Sequence, residues 1–438
     1  MDTLDSPYKK FGWYVLLIYF ACLAFGSKNF SYLSFSLGPI PVYVGEVALL
    51  LSAILCWINK KHLFQEVPNW IKHLLTLYLV WGVFLVGYSF WKKTADTSVV
   101  QILRDSALFY QSLWLLFGLL LAPKKWVQWL TISLVGIGLA QYFWWLRYIY
   151  YGLVYGISTS GFFGFIHGND SFSTFFPLTL AIWPIQWSTA LAFAYGHAVL
   201  GLFLIYFKKS WFLCVFAVVM PMAIWMTRKI YPRIVLKKTL FFFGALLMGL
   251  TIASIGANRV SQHKSIFQDI SKNAQNTNAW FFHGELDREE SDNSTGSSYM
   301  AWRFFLWRNA IHGFLEHPFL GNGFGPKVVT AQQDGMLPIT DGKWISGPHN
   351  SFLTVAFRGG VIGIASLLLL TFIPILVFFK KMVLRSYLHP QSYLALAALF
   401  TQIFAAFFNV TLENPQHGTV FWVLLGAFIR LTYTKAPS

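Results

Sequence analysis

The sequence predicts an all-α, polytopic integral membrane protein with about twelve transmembrane helices and one large loop outside the membrane late in the chain. Three observations carry this prediction. Of 438 residues, 56% are hydrophobic and only 11% are charged, whereas soluble domains carry about 25% charged residues. Apolar runs long enough to cross a bilayer, roughly 20 residues each, recur from one end of the chain to the other. The polar residues gather mainly in one long segment instead of forming the surfaces of separate domains. A soluble enzyme is thereby excluded. The formal charge of +16 does not point to nucleic acid, because the basic residues stand singly or in pairs between apolar runs and form no stripe or binding motif. Cys22, Cys56 and Cys214 fall inside apolar runs, with neither CxxC spacing nor a secreted disulfide pattern, and read as small core residues.

In chain order, the runs are 11–27, 39–58, 70–91, 106–122, 126–147, 171–187, 189–207, 211–227, 239–255, 351–379, 392–410 and 418–434. Residues 1–255 thus hold spans one to nine, 256–350 the outer loop, and 351–438 spans ten to twelve. Lys9 and Lys10 ahead of the first run resemble a signal-peptide n-region, but so many runs follow that a retained signal anchor is the better reading. Basic residues flank short inner loops in membrane proteins. Placing the N-terminus inside puts Lys60, Lys61, Lys124, Lys125, Lys380, Lys381 and the 228–238 cluster in the cytoplasm, together with about +14 of the net charge. Both termini are then cytoplasmic, and the outer face is nearly neutral.

The outer segment 256–350 has a Ser/Asn/Asp/Glu-rich centre, Glu285–Ser298, that reads as flexible and solvated. From Met300 to Glu316 the periodicity predicts an amphipathic helix: Arg303, Trp307, Ala310 and Phe314 share one stripe, and Arg308, His312 and Glu316 share another. Pro318 ends it. A helix with tryptophans on its apolar face suits the membrane–water boundary. No internal repeat is evident, which disfavours repeat-built transporter folds.

Candidate chemistry lies where the orientation rule leaves charge unexplained. Lys208 and Lys209 occupy a very short outer turn between spans seven and eight, where an anion or lipid headgroups would compensate them. Lys92, Lys93, Arg104 and Arg147 read as interfacial or snorkelling bases. Gly321, Gly323 and Gly325 allow tight turning and can let amide N–H groups converge on an anion, although tight turns and close helix approach explain most such clusters. This is not a P-loop, since no Lys-Ser/Thr follows. At the mouth of span ten, Asn350 or Ser351 can cap the helix. His349 beside them can titrate near neutral pH, as histidines do, and a neutral imidazole there can take a proton from a hydroxyl nucleophile. Arg358, inside the same apolar run, should face a cavity or a partner instead of lipid. There is no HExxH, Cys/His cluster or Asp-x-Asp pair. The carboxylates Glu46, Asp96, Asp170, Asp334, Asp341 and Glu413 are too dispersed to assemble into a site. A mechanism without metal or other cofactor is therefore expected.

Taken together, these residues resemble the O-antigen ligase family of bacterial membrane glycosyltransferases, which also contains polysaccharide polymerases and protein O-oligosaccharyltransferases. The family pattern is carried by Arg303, Trp307, Ala310 and Phe314, then Pro318, Gly321 and Gly323, then His349, Asn350 and Leu353, then Gly360 and Gly363, over about sixty residues. Upstream, Gly161 to Gly164 followed by Asn169 looks like the family's outer Gly/Asn loop, and Arg104-Asp105 also fits. In place of the family's Ser-Arg pair between spans seven and eight stands Lys208-Lys209, which keeps positive charge but loses bidentate guanidinium geometry.

The resemblance implies a GT-C-like membrane enzyme with a periplasmic loop, lodged in the inner membrane. It would transfer a glycan from undecaprenyl diphosphate to a hydroxyl of a lipid A-core, glycan or protein acceptor. Its partners are that donor, that acceptor and membrane lipids, with no nucleic acid. Diphosphate would be held by Arg303 and Lys209, helped by Lys208 and Arg308. His349 would act as base, with Asn350 and Asn169 supporting. A polymerase of the same family and a lipid-linked oligosaccharide transporter are the competing readings.

Overall fold

The computed structural model describes residues 7–31, 33–38, 40–63, 67–93, 97–121, 297–328 and 347–435. Runs five to nine of the expected layout, together with Asn169, Lys208 and Lys209, lie outside the described residues. The described part is mostly helical: α1 (Pro7–Ser31), α2 (Val44–Ile58), α3 (Lys60–Leu63), α4 (Asn69–Trp91), α5 (Val99–Asp105), α6 (Ala107–Tyr110), α7 (Trp114–Leu121), α8 (Ser297–Glu316), α9 (Ser351–Val383), α10 (Pro390–Phe408) and α11 (Pro415–Tyr433). Of these, α4, α9 and α10 are long and apolar enough to cross a membrane. Apolar side chains lie open on the outside of α2 and α4, among them Leu50, Trp57, Val80 and Val83. Such an apolar surface suits a lipid environment and is a liability in water.

Two departures from an uninterrupted set of helices have local causes. Run 39–58 begins its helix only at Val44, because Ser34–Leu37 (β1) and Ile40–Tyr43 (β2) form an antiparallel hairpin in which Leu37 pairs with Ile40 and Ser34 with Tyr43. Gly38 turns the chain at φ +62°, and the Gly-Pro-Ile-Pro sequence suits a turn and an edge strand better than a helix. The backbone N–H of Tyr43 then donates to Glu46 Oε2 at 3.0 Å, closing the first turn of α2. Run 106–122 is divided into α6, a 3₁₀ turn at Gln111–Leu113, and α7. Just before it, α5 starts at Ser98, whose hydroxyl accepts the Gln101 N–H.

The core is built around α11, which is buried on all sides along nearly its whole length. It reads as apolar all round, the pattern of a central helix. Asn414 caps it by accepting the Gln416 N–H at 2.9 Å, and Pro415 occupies the first helical position. Against it lies α7, at a contact closed by glycines on both sides: a Cβ at Gly118 would collide with the Val423 carbonyl, and one at Gly426 with the Leu115 carbonyl. Gly118→Leu or Gly426→Leu is expected to force these backbones apart at a cost of about 1–3 kcal/mol. The check is the thermal midpoint in detergent, where an unchanged value would show that the two helices have room to spare.

The long helix α9 is interrupted at Gly360, whose φ of 61° and ψ of −162° lie far from helical values. The break leaves three carbonyls without helical partners, and each finds another. Phe357 O accepts the Asn322 N–H at 2.8 Å, Arg358 O accepts the Gly323 N–H at 3.0 Å, and Gly359 O accepts the Trp81 indole N–H at 2.8 Å. In return Val361 N–H donates to Pro318 O at 2.7 Å. The segment after α8 is thus docked into the gap in α9. No other residue fits at Gly360, where a Cβ would strike the Phe319 carbonyl.

Candidate functional site

On α8 the two expected stripes separate by burial. Arg303, Leu306 and Ala310 are buried, Trp307 and Phe314 half-buried, and Arg308, His312 and Glu316 exposed. His312 Nδ1 lies 3.3 Å from Glu316 Oε1 on the open face. Leu306 and Ala310 pack with Val328 and Phe357 into a small cluster that joins α8 to the outer part of α9. This packing fixes the side of α8 that meets α9.

The turn 347–350 hangs between α8 and the start of α9. Trp307 Nε1 donates to Pro348 O at 3.0 Å, so the tryptophan of α8 holds the turn. His349 adopts φ +52°, a left-handed conformation that costs a non-glycine residue energy and persists only where its surroundings enforce it. Asn350 caps α9: its Oδ1 accepts the Leu353 N–H at 3.0 Å, and its carbonyl accepts the Thr354 N–H at 2.9 Å. Capping therefore accounts for Asn350.

His349 lies on the wall of a cavity of about 920 Å³ that opens between α2, α5, α6, the first turns of α9 and the turn before α11. Three bases, Arg104, Lys327 and Arg358, share that wall, as do three carboxylates, Glu46, Asp105 and Glu413. Arg303 and Arg308 are not among its described lining residues. The sequence named Glu46 and Glu413 without bringing them together; the fold does so by placing the start of α2 and the start of α11 on one cavity.

Arg358 is the anchor of this region. It is 2% exposed and its guanidinium stands 3.0 Å from Asp105 Oδ2. Through Nη1 it also donates to the carbonyls of Gly323, at 3.2 Å, and Pro326. The expectation that an arginine at this position faces a partner and a cavity is met by both.

For the glycine segment the favoured reading, tight turns and close helix approach, is the one the structure bears out. Gly321, Gly323 and Gly325 all have positive φ, but the amides around them are already engaged. The N–H groups of Asn322 and Gly323 go to α9 carbonyls, that of Phe324 to Ser89 Oγ at 2.6 Å, and that of Gly325 to Asp105 Oδ2 at 2.9 Å. Gln101 Nε2 adds a bond to Gly325 O at 2.9 Å. These donors hold the loop against α4, α5 and α9 and leave no set of amides to cradle an anion.

Behind His349, Ser351 is fully buried at the first position of α9. Its hydroxyl accepts the N–H groups of Thr411 at 2.8 Å and Leu412 at 3.0 Å, and it lies 2.6 Å from Glu413 Oε2. Burial pushes the Glu413 carboxyl above the ordinary carboxylate range, with the Ser351 hydrogen bond opposing. Among the described residues, no three His, Cys, Asp or Glu side chains converge as metal ligands would.

Comparison with known proteins adds a family. Residues 190–368 match the family model described as O-antigen ligase, a stretch that contains Arg303, the glycine segment, His349 and Arg358. An O-antigen ligase from Pseudomonas aeruginosa is 36% identical over 59 residues, which amount to 14% of this chain and 13% of that protein.

Proposed function

We propose that this chain, which matches the O-antigen ligase family over residues 190–368, is an inverting, metal-independent glycosyltransferase. It moves a glycan from undecaprenyl diphosphate to an acceptor sugar hydroxyl at the periplasmic face of the bacterial inner membrane. The observation that carries this reading is the place of His349, held in a left-handed turn on a cavity wall shared with Arg104 and Lys327. A base and nearby positive charge are the two requirements of the reaction. As the acceptor oxygen attacks the anomeric carbon, its proton passes to His349, and the bond from that carbon to the diphosphate oxygen breaks with its electron pair leaving on diphosphate. One displacement inverts the carbon and forms no covalent enzyme intermediate.

Positive charge stabilises the leaving diphosphate most when it is fixed in advance. In this proposal Arg303, Lys208, Lys209 and Arg308 bind the diphosphate, Asn169 supports the outer loop, and Asn350 fixes the histidine turn. Transfer to a finished acceptor, as opposed to polymerisation, is favoured by the likeness to the Pseudomonas O-antigen ligase. Surface glycans of a deletion strain test this: long unattached chains mark a lost ligase, and single repeats a lost polymerase. Arg303→Ala is expected to raise the KM for the lipid-linked donor about tenfold or more while leaving that for the acceptor within about twofold, in the range of a lost charge-assisted contact. Equal losses for both substrates would contradict the assigned role.

A further inference from the structure

We propose that Glu413 is a positioning residue for His349, acting through Ser351; this inference rests on the reading of His349 as the base. The observation is a short relay. The turn before α11 presents the Thr411 and Leu412 amides and the Glu413 carboxyl to a single buried hydroxyl, that of Ser351. Both lone pairs of Oγ are taken by the two amides, so its one proton goes outward to an acceptor. Glu413 Oε2 at 2.6 Å is nearer than the Asn409 carbonyl at 3.2 Å. Ser351 is two residues from His349, with only the cap Asn350 between them.

The strain at His349 gives the relay its purpose. A left-handed histidine relaxes toward ordinary backbone angles unless its flanks are held. On the side of α8 it is held by Trp307 through Pro348 O, and on the side of α9 by the Asn350 cap and the Ser351 cluster. Glu413 thereby ties the histidine turn to α11, the most deeply buried of the described helices, so the imidazole is referenced to the core and not to the outer loop alone. A displacement of about 1 Å in a reacting group can cost on the order of a hundredfold in rate.

The same structure predicts which substitution is tolerated. A glutamine at 413 keeps a carbonyl oxygen in place of Oε2 to accept the Ser351 proton. An alanine removes the acceptor. With lipid-linked glycan extracted from a strain lacking this chain as donor, Glu413→Ala and Ser351→Ala should each lower kcat about tenfold or more, with donor KM within about twofold. Glu413→Gln should retain at least about a third of kcat. The Glu413→Ala/Ser351→Ala double variant should be no worse than Ser351→Ala alone, because Ser351→Ala already removes the hydroxyl through which Glu413 acts.

The second measurement does not depend on turnover. His349 is half-buried, and its diethyl pyrocarbonate adduct is located by peptide mass spectrometry. Its modification rate should change several-fold in Glu413→Ala and Ser351→Ala and stay near wild type in Glu413→Gln. Unchanged rates in the alanine variants, additive losses in the double variant, or equal impairment by glutamine and alanine would each overturn the positioning role. If the rates change as expected while His349→Ala keeps transferring glycan, the positioning stands and the reading of His349 as base is what fails.

Discussion

His349→Ala is expected to lower glycan transfer by about 100- to 10,000-fold, the range that a positioned general acid or base contributes. The imidazole lies on the cavity wall in a turn whose strain is absorbed on both sides, by Pro348 O against Trp307 and by Asn350 at the start of α9. Alanine removes the proton acceptor and leaves those ties in place, because none of them uses the imidazole. Insertion, yield and thermal midpoint should therefore match wild type while kcat collapses. The decisive measurement is transfer of lipid-linked glycan by purified protein, scored beside the midpoint of the same preparation. Near-normal transfer would remove His349 from the chemistry, and a collapsed midpoint would assign it a structural part instead.

The second large effect concerns stability. Arg358→Ala is expected to destabilise the fold by about 3–5 kcal/mol, the cost of removing one partner from a buried ion pair. The loss has two parts. Asp105, 16% exposed on its side-chain surface, is left with a charge that only the Gly325 amide still satisfies among the bonds described above. The carbonyls of Gly323 and Pro326 lose their shared donor, so the glycine segment comes loose from α9. Asp105→Asn in the Arg358→Ala background should recover part of the loss, because the amide carries no charge to strand. Denaturation in detergent reads both numbers. A single variant with wild-type stability would mean that water already reaches this pair.

The ends of the helices were the most legible part of the sequence. The runs 70–91, 351–379, 392–410 and 418–434 correspond to α4, α9, α10 and α11 with shifts of a few residues, and Met300–Glu316 corresponds to α8. Length and hydropathy fix such elements locally. The hairpin at β1 and β2 was not legible in that way, since Phe35, Leu37, Ile40 and Val42 merge with the apolar run that follows, and only the Gly38-Pro39 turn could have separated them.

At the site, single residues were legible and their partnerships were not. His349 and Arg358 stood out because each is unusual for its place along the chain. Their neighbours Asp105, Glu46 and Glu413 are ordinary carboxylates far away in sequence, and nothing local marks them as mates. For the glycines the tight-turn reading was legible, but the destination of the amides depends on a break in another helix, which a Gly-Gly pair in an apolar run does not reveal.

That break also settles a matter of length. A continuous helix of 33 residues would extend about 50 Å at 1.5 Å per residue, far more than the roughly 30 Å of a bilayer's hydrocarbon core. Interrupted at Gly360, the chain leaves roughly 23 residues beyond it, about 34 Å, which matches that thickness closely. The part before it is a separate stub of about two and a half turns, free to follow its own axis. Arg358 belongs to the stub and not to the stretch long enough to cross a bilayer, and the stub's first residue follows two positions after His349.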